Sequence, residues 1–415
     1  MTGGDEPSPK TQKAYRVLVI HRYYWPDTPP YASMLRRIVG RWYQDGHSVE
    51  VISAQPAYKA GVVNEKRPRR DEVDGARVHR LTLPNEQGRP VRRILNAIRL
   101  SASILQRALL RRYDVIMIST SPPVLGGVAA ALAAKLTKAR FIYHCMDIHP
   151  EVGRVSGEFS HPWVFGALRK LDNWGCRQAD PVVVLSRDME KTLRERPGGE
   201  NLRIRILNNF SLPDEGGVSP PPFAETSGIR LRVIFAGNIG RFQGLETVVE
   251  AMERLTERKD IEFVLMGDGV AKKQLEDRAH QAGANLRFLG HQSVDVAKAA
   301  MRQADAGFVS LVPGLFRYAY PSKTMTYLEQ GCPLIAAVEA DSELAEDVVR
   351  QGYGHVVPVG DSEALAALLV RLADDESGWK NDMRESALRA ARDTFSEPVV
   401  LDQWSALLAN RTERA

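Results

Sequence analysis

The sequence predicts an α/β protein built from two Rossmann-like halves, each a parallel sheet wrapped by helices. Three observations carry this. Short β-branched runs alternate with helical periods through both halves. A Pro-, Gly- and Ser-rich stretch, SLPDEGGVSPPPFAETSGI (211–229), separates them as a linker. The strand–helix pattern then restarts at once. At 415 residues, with 44% hydrophobic and 26% charged residues, the chain has the composition of an ordinary globular protein of two or three domains.

In the first half the expected strands are Val17–His21, Val49–Ser53, Val78–Leu83, Val115–Ser119, Phe141–His144, Val182–Leu185 and Arg203–Leu207. After the linker come strand Leu231–Ala236, helix Leu245–Arg258, strand Ile261–Met266, helix Val270–Ala282, strand Leu286–Leu289, helix Val294–Gln303 and strand Ala306–Val312. A short helix and the strand Pro333–Val338 follow, and two more helical stretches close the chain. The expected layout is a disordered tail over 1–14, a first domain over 15–210, the linker 211–229, a second domain over 230–395, and a terminal helix over 396–415 that crosses back onto the first domain.

The cysteines Cys145, Cys176 and Cys332 are isolated, with no CxxC pair, so neither a structural zinc site nor a disulfide framework is indicated. The polar N-terminus, MTGGDEPSPKTQK, has no apolar core of a signal peptide. The longest apolar or glycine stretch, Val124 to Ala134, is too short to span a bilayer. A cytoplasmic protein, at most peripheral on a membrane, is expected. The net charge of +5 hides an asymmetry: residues 1–209 carry 34 Lys and Arg against 20 Asp and Glu, and residues 210–415 carry 22 against 31. Such a split suggests an anionic partner for the first half. Zinc-finger and RNP signatures are missing, and few aromatics interleave with the basic residues. A membrane surface or phosphorylated lipid therefore fits better than nucleic acid.

Four turns stand just beyond strand ends in the second half, where doubly wound sheets bind ligands. The first is LRVIFAGNIGRFQG (231–244), with Gly237, Asn238, Gly240 and Gln243 in the turn and Arg241 supplying a charge. The second holds Gly267 and Asp268, the third Gly290 and His291, and the fourth opens at Pro321-Ser322-Lys323. Glycines let a backbone approach a pyrophosphate. Lys323, at a strand–loop–helix junction, reads as a phosphate ligand. One GxxG turn alone is also what a simple chain path requires, but four at one sheet edge point to a nucleotide-type site. The GxGxxG dinucleotide fingerprint is missing.

This constellation resembles the second domain of nucleotide-sugar glycosyltransferases, family 4. GNIGRFQGLE, GDG, the FLG strand end, and PSK followed by a Tyr-containing helix and GCPLI carry the resemblance. In the first half VLVIHRYYWPDTPPYASMLRRI, DGHSVEVIS, YDVIMISTSPP and FIYHCMDIHPE are similar to the same family. The resemblance covers about residues 15–400 and is strongest to a branch acting in bacterial surface-polysaccharide pathways. It implies two Rossmann-like domains facing across a cleft, the GT-B architecture, and a sugar nucleotide, expected as a UDP-sugar, held by the second domain. It also implies retention of anomeric configuration and no obligatory metal.

Two positions depart from the family. Many members carry Glu-x7-Glu before the GxP turn; here those positions are Tyr318 and Thr326, and Glu329 is the carboxylate of this helix. Either Thr326 or Glu329 can replace the missing ribose contact. The glycine-rich first loop is altered to Pro29-Pro30-Tyr31.

Glycosyl transfer needs the leaving diphosphate stabilised. Arg241, Arg317 and Lys323 are the cations near the strand ends, and they suit that task. HCMDIHPE (144–151) places His144, Asp147, His149 and Glu151 just after a strand. Asp147, in an Asp-x-x-Pro pattern, is the first choice to orient or deprotonate an acceptor hydroxyl, with a structural cap as its rival. His144, His149 and Glu151 are candidates for acceptor or sugar contact.

Residues 89–112, RPVRRILNAIRLSASILQRALLRR, hold seven arginines and no acid, with Ile94, Leu95, Ile98, Leu105 and Leu109 at helical spacing. This is a basic amphipathic helix, suited either to packing its apolar stripe on the sheet or to docking on anionic lipid. The leading expectation is a retaining glycosyltransferase acting on a lipid-linked glycan. Alternatives are a soluble transferase for a small metabolite, a sugar-nucleotide 2-epimerase, which the PSK arrangement argues against, and a non-catalytic nucleotide-sugar-binding protein.

Overall fold

The computed structural model describes residues 13–27, 30–56, 66–84, 86, 89–155, 157, 159, 161–212 and 228–409. The expected tail (1–14) and linker (211–229) lie almost wholly outside those residues. The chain divides into two compact units, one of residues 1–143, 178–180 and 401–415, the other of residues 144–177 and 181–400.

The chain begins with β1 (Arg16–Ile20), α1 (Pro30–Gln44) and β2 (Ser48–Ala54), then β3 (Arg70–Val73) and β4 (Ala76–Leu81). α2 (Pro90–Arg111), β5 (Val115–Ser119), α3 (Leu125–Thr137) and β6 (Arg140–His144) follow. After α4 (Glu151–Val155) and α5 (Pro162–Gln178) come β7 (Val182–Val184), α6 (Arg187–Arg194) and β8 (Ile204–Ile206). The strand order of this sheet is β3-β4-β2-β1-β5-β6-β7-β8. β1 lies between β2 and β5, parallel to both. Continuous apolar runs such as VIMIS in β5 are buried on both faces, as central parallel strands require.

β3 was not expected from the sequence. Only Val73 of its four residues is buried, so RDEV shows no apolar run. Its antiparallel pairing with β4 is set by the turn at Asp74 and Gly75, both at positive φ (49° and 81°).

The second sheet is built from β9 (Leu231–Ala236), α7 (Glu246–Glu253), β10 (Ile261–Met266), α8 (Lys272–Ala282), β11 (Leu286–Leu289), α9 (Val294–Gln303) and β12 (Ala306–Ser310). α10 (Lys323–Glu329), β13 (Leu334–Ala337), α11 (Glu343–Gln351), β14 (Gly354–Val357), α12 (Ser362–Asp374), α13 (Trp379–Ala390) and α14 (Glu397–Ala409) complete the chain. Its strand order is β11-β10-β9-β12-β13-β14, parallel throughout. Under it Phe263 and Phe308 meet edge to face, with centroids 5.4 Å apart. Each contributes roughly 1.5–3 kcal/mol by burial.

The expected pair of closing helices is corrected to α11–α14, with β14 between the first two. Ser342 and Asp361 give the missed start signals, accepting hydrogen bonds from the amides of Ala345 and Ala364. Residues 401–409 of α14 pack on α1: the Trp42 and Trp404 rings are 6.0 Å apart, and Arg41 pairs with Asp402 at 2.8 Å.

A second correction concerns α2. Its buried row is Asn96, Leu100, Ile104 and Ala108, while Ile94, Leu95, Ile98 and Leu109 are exposed. Arg107 is drawn away from solvent by the buried carboxylate of Glu50. Among the described residues no helix is long and apolar enough to cross a membrane.

Candidate active site

Four loops meet at one edge of the second sheet, and backbone hydrogen bonds tie three of them together. The Gly237 amide donates to Met266 O at 2.8 Å, Ile239 to Asp268 O at 2.9 Å, and Gly267 to Leu289 O at 2.8 Å. The turns after β9, β10 and β11 are thus joined sideways. Gly237 and Gly267 sit at φ of 144° and 142°, a region only glycine enters freely. A Cβ on Gly267 would stand 1.9 Å from Gly237 O. Side chains are excluded here by geometry, so backbone faces the open edge.

Lys323 begins α10 and crosses the first turn. A Cβ on Gly237 would stand 2.0 Å from Lys323 Cε and 2.7 Å from Nζ. The ammonium lies 4.2 Å from the centroid of the buried Phe235 ring. Desolvation in this packed setting pushes its pKa down to about 8. α10 has only seven residues, and its Ser322 cap makes no side-chain hydrogen bond. The charge at this point is therefore the ammonium itself rather than a long helix dipole.

Tyr327, one turn on, fixes α10 to the strand. Its hydroxyl accepts from the Ala236 amide at 2.8 Å and donates to Ile234 O at 3.2 Å. The residues most responsible for placing Lys323, Tyr327 and Phe235, had no assigned role in the sequence. A tyrosine four residues after the lysine was the available signal.

The remaining donor-side residues divide. Asn238 and Arg241 are exposed, and Arg241 makes no ion pair among the described residues. Gln243 accepts from the Gly240 amide at 3.2 Å and closes the turn. Asp268 pairs with Lys272 at 3.1 Å and accepts from the His291 amide at 3.2 Å, bridging to the turn at Gly290. Pro321 and Thr326 are partly exposed and Ser322 is exposed. Arg317 is paired with Glu195 at the surface, which neutralises the charge that the sequence offered to the diphosphate.

Glu329 is engaged inside the unit. Its Oε2 accepts from Ser211 Oγ at 2.6 Å and from the buried Lys298 ammonium at 3.0 Å.

The HCMDIHPE loop joins this unit. Ile148 N donates to Tyr318 O at 2.8 Å, and Asp147 bridges to Ala319, just before Pro321. Burial raises the Asp147 carboxyl to about 6. His144 is buried and His149 partly so. Glu151 is a correction. It lies in a buried network where Arg196 Nε reaches its Oε1 at 3.1 Å and Arg196 Nη1 reaches Asp172 at 2.6 Å. That engagement gives Glu151 a structural role instead of acceptor contact. Arg196 also donates to His149 O at 2.8 Å, so it shapes the loop. Its partners lie too far along the chain for spacing to disclose them.

Residues 13–209 match the glycosyl transferase 4-like domain, and residues 230–375 match glycosyl transferases group 1. The chain belongs to the glycosyltransferases. This glycosyltransferase is 27% identical over 331 residues to the probable glycosyltransferase WbjE of Pseudomonas aeruginosa, covering 77% of the chain and 79% of WbjE. It is 26% identical over 362 residues to a putative colanic acid biosynthesis glycosyl transferase, WcaI, of Escherichia coli K12, covering 80% and 85%. Among solved structures, Anabaena HepE, in complex with UDP and glucose, superposes with a TM-score of 0.66 at 16% identity, over 96% of this chain and 100% of HepE. The fold is that of the GT-B glycosyltransferases.

Proposed function

We propose that this glycosyltransferase moves a sugar, with retention, from a UDP-sugar to a hydroxyl of a lipid-linked glycan in surface-polysaccharide synthesis. The observation that carries the donor assignment is the Lys323 ammonium laid across Gly237, at an edge where three turns present backbone. Such a fixed cation suits a diphosphate. One relative, named for colanic acid biosynthesis, supports the acceptor class.

In this reading Lys323 and the exposed Arg241 balance the charge that develops on the leaving diphosphate, and no obligatory metal is required. The acceptor oxygen bonds to the anomeric carbon as the bond from that carbon to the diphosphate breaks. The hydroxyl proton passes to the departing diphosphate on the same face, and Asp147 orients the hydroxyl. Thr326 contacts the ribose through one hydroxyl.

The acceptor reading extends to α2. Val91, Ile94, Leu95 and Ile98 are exposed beside the exposed Arg92, Arg93 and Arg99. An apolar row flanked by guanidiniums suits anionic lipid. The test is radiolabelled transfer from UDP-sugars in EDTA. Lipid extracts and aqueous small-molecule acceptors are compared. Label entering the lipid phase supports the proposal. Label only in aqueous products assigns a soluble acceptor, and donor conversion without any acceptor assigns an epimerase.

A further inference from the structure

We infer that the first unit carries an oxyanion site, built from Arg22, Arg67 and Arg80 around Trp25, that takes a phosphate group. These residues gather where β1, β2 and β4 end. Ser53 Oγ donates to Arg22 O at 2.9 Å. Gln55, just past β2, receives the Arg67 amide at 3.1 Å and donates its side-chain amide to Arg67 O at 2.8 Å. Arg80, on β4, donates to Trp25 O at 2.8 Å. The guanidiniums of Arg36 and Arg67 lie 4.5 and 5.0 Å from the Trp25 ring centroid.

Three of the four arginines here are paired with carboxylates. Arg22 pairs with Glu86, Arg36 with Asp74, and Arg80 with Asp71. Arg67 alone of these arginines has no carboxylate, and its side chain makes no hydrogen bond, among the described residues. It is nonetheless partly buried. The Arg80 side chain is 0% exposed, yet its Nε and Nη1 have no hydrogen-bond partner among the described residues. The Nε atoms of Arg22 and Arg67 are buried and unpartnered in the same way.

Guanidinium groups held out of water without acceptors are costly unless an anion completes them. Unpartnered nitrogens on three separate guanidiniums call for acceptors in more directions than the single plane of a carboxylate offers. A phosphate, with oxygens in a tetrahedral array, matches them better. The basic balance of the first half thus gains a specific place. Resting on the transferase reading above, the acceptor brings this phosphate, and its anionic group docks on the first unit.

The test is calorimetric titration of inorganic pyrophosphate into the full chain saturated with UDP, which occupies the donor edge. The expected result is saturable pyrophosphate binding that Arg67→Gln weakens at least tenfold, with melting temperature and UDP affinity unchanged. Absence of pyrophosphate binding under saturating UDP, or unaltered binding by Arg67→Gln, overturns the site. Glucuronate binding as tightly as pyrophosphate overturns the phosphate assignment. Failure of the parent chain to bind UDP counts against the transferase reading and not against this site, which pyrophosphate alone then reports.

Discussion

Lys323 lies so close across Gly237 that a Cβ on that glycine would fall 2.0 Å from its Cε. A side chain at position 237 is therefore excluded while Lys323 lies there. Gly237→Ala must displace the lysine and hold alanine at a φ of 144°. Such a substitution costs more than about 1 kcal/mol from the backbone alone. The melting temperature should fall, and UDP affinity should fall with it. A variant that melts and binds like the parent would show that the lysine is not seated over the turn.

The pH profile should show two limbs. Asp147, raised to about 6 by burial, is ionised only above that pH. Lys323, lowered to about 8, carries its charge only below that one. Transfer should therefore be fastest between them. Asp147→Asn should slow transfer and flatten the acid limb. Lys323→Arg should flatten the alkaline limb at a reduced rate, because a planar fork replaces a compact ammonium. An unchanged acid limb in Asp147→Asn removes Asp147 from the chemistry.

The same two groups act oppositely on stability. Between about 8 and the ordinary lysine value near 10.4, the unfolded chain holds a proton that folded Lys323 has released, so this contribution rises with pH. Between about 4 and 6, folded Asp147 holds a proton that the unfolded chain has released, so its contribution falls as pH rises. Comparing pH-dependent melting of Lys323→Met and Asp147→Asn with the parent checks both signs.

Glu329→Ala should separate structure from donor binding. It takes the Glu329 carboxylate away from the buried Lys298 ammonium, at a cost of about 1–3 kcal/mol. UDP affinity should stay within twofold of the parent, whereas Thr326→Val should weaken UDP. The reverse pattern would return the ribose contact to Glu329.

The exposed arginines of α2 should govern vesicle binding. Replacing Arg92, Arg93 and Arg99 with Gln should reduce co-sedimentation with anionic vesicles at low salt, by roughly 1 kcal/mol per charge. Arg107→Gln should act differently, lowering stability by about 1–3 kcal/mol because it removes one of the cations paired with the buried Glu50. Undiminished sedimentation of the triple variant would leave α2 an ordinary solvated face.

These residues also show what a sequence can disclose. β9, β10 and β11 end where expected, because apolar runs stopped by glycine mark both the strand and its turn. α2 was legible as a helix, but its apolar residues outnumber those one face can bury. Spacing could not say whether the row through Leu100 and Ile104 or the row through Ile94 and Ile98 meets the sheet. The polar β3 escaped because its pairing comes from the turn at Asp74 and Gly75. Ionic contacts were the least legible. The links of Glu151 to Arg196 and of Arg317 to Glu195 span 45 and 122 residues of chain, and no local pattern records such a partner.

The central claim is that Lys323 holds the donor diphosphate. Calorimetric titration of UDP into the parent and Lys323→Ala at pH 7 tests it most directly. Loss of a charge-assisted phosphate contact should cost about 2 kcal/mol or more, an affinity drop of roughly 30-fold, with the melting temperature little changed. Equal affinity in the two proteins would contradict the account and place the diphosphate elsewhere.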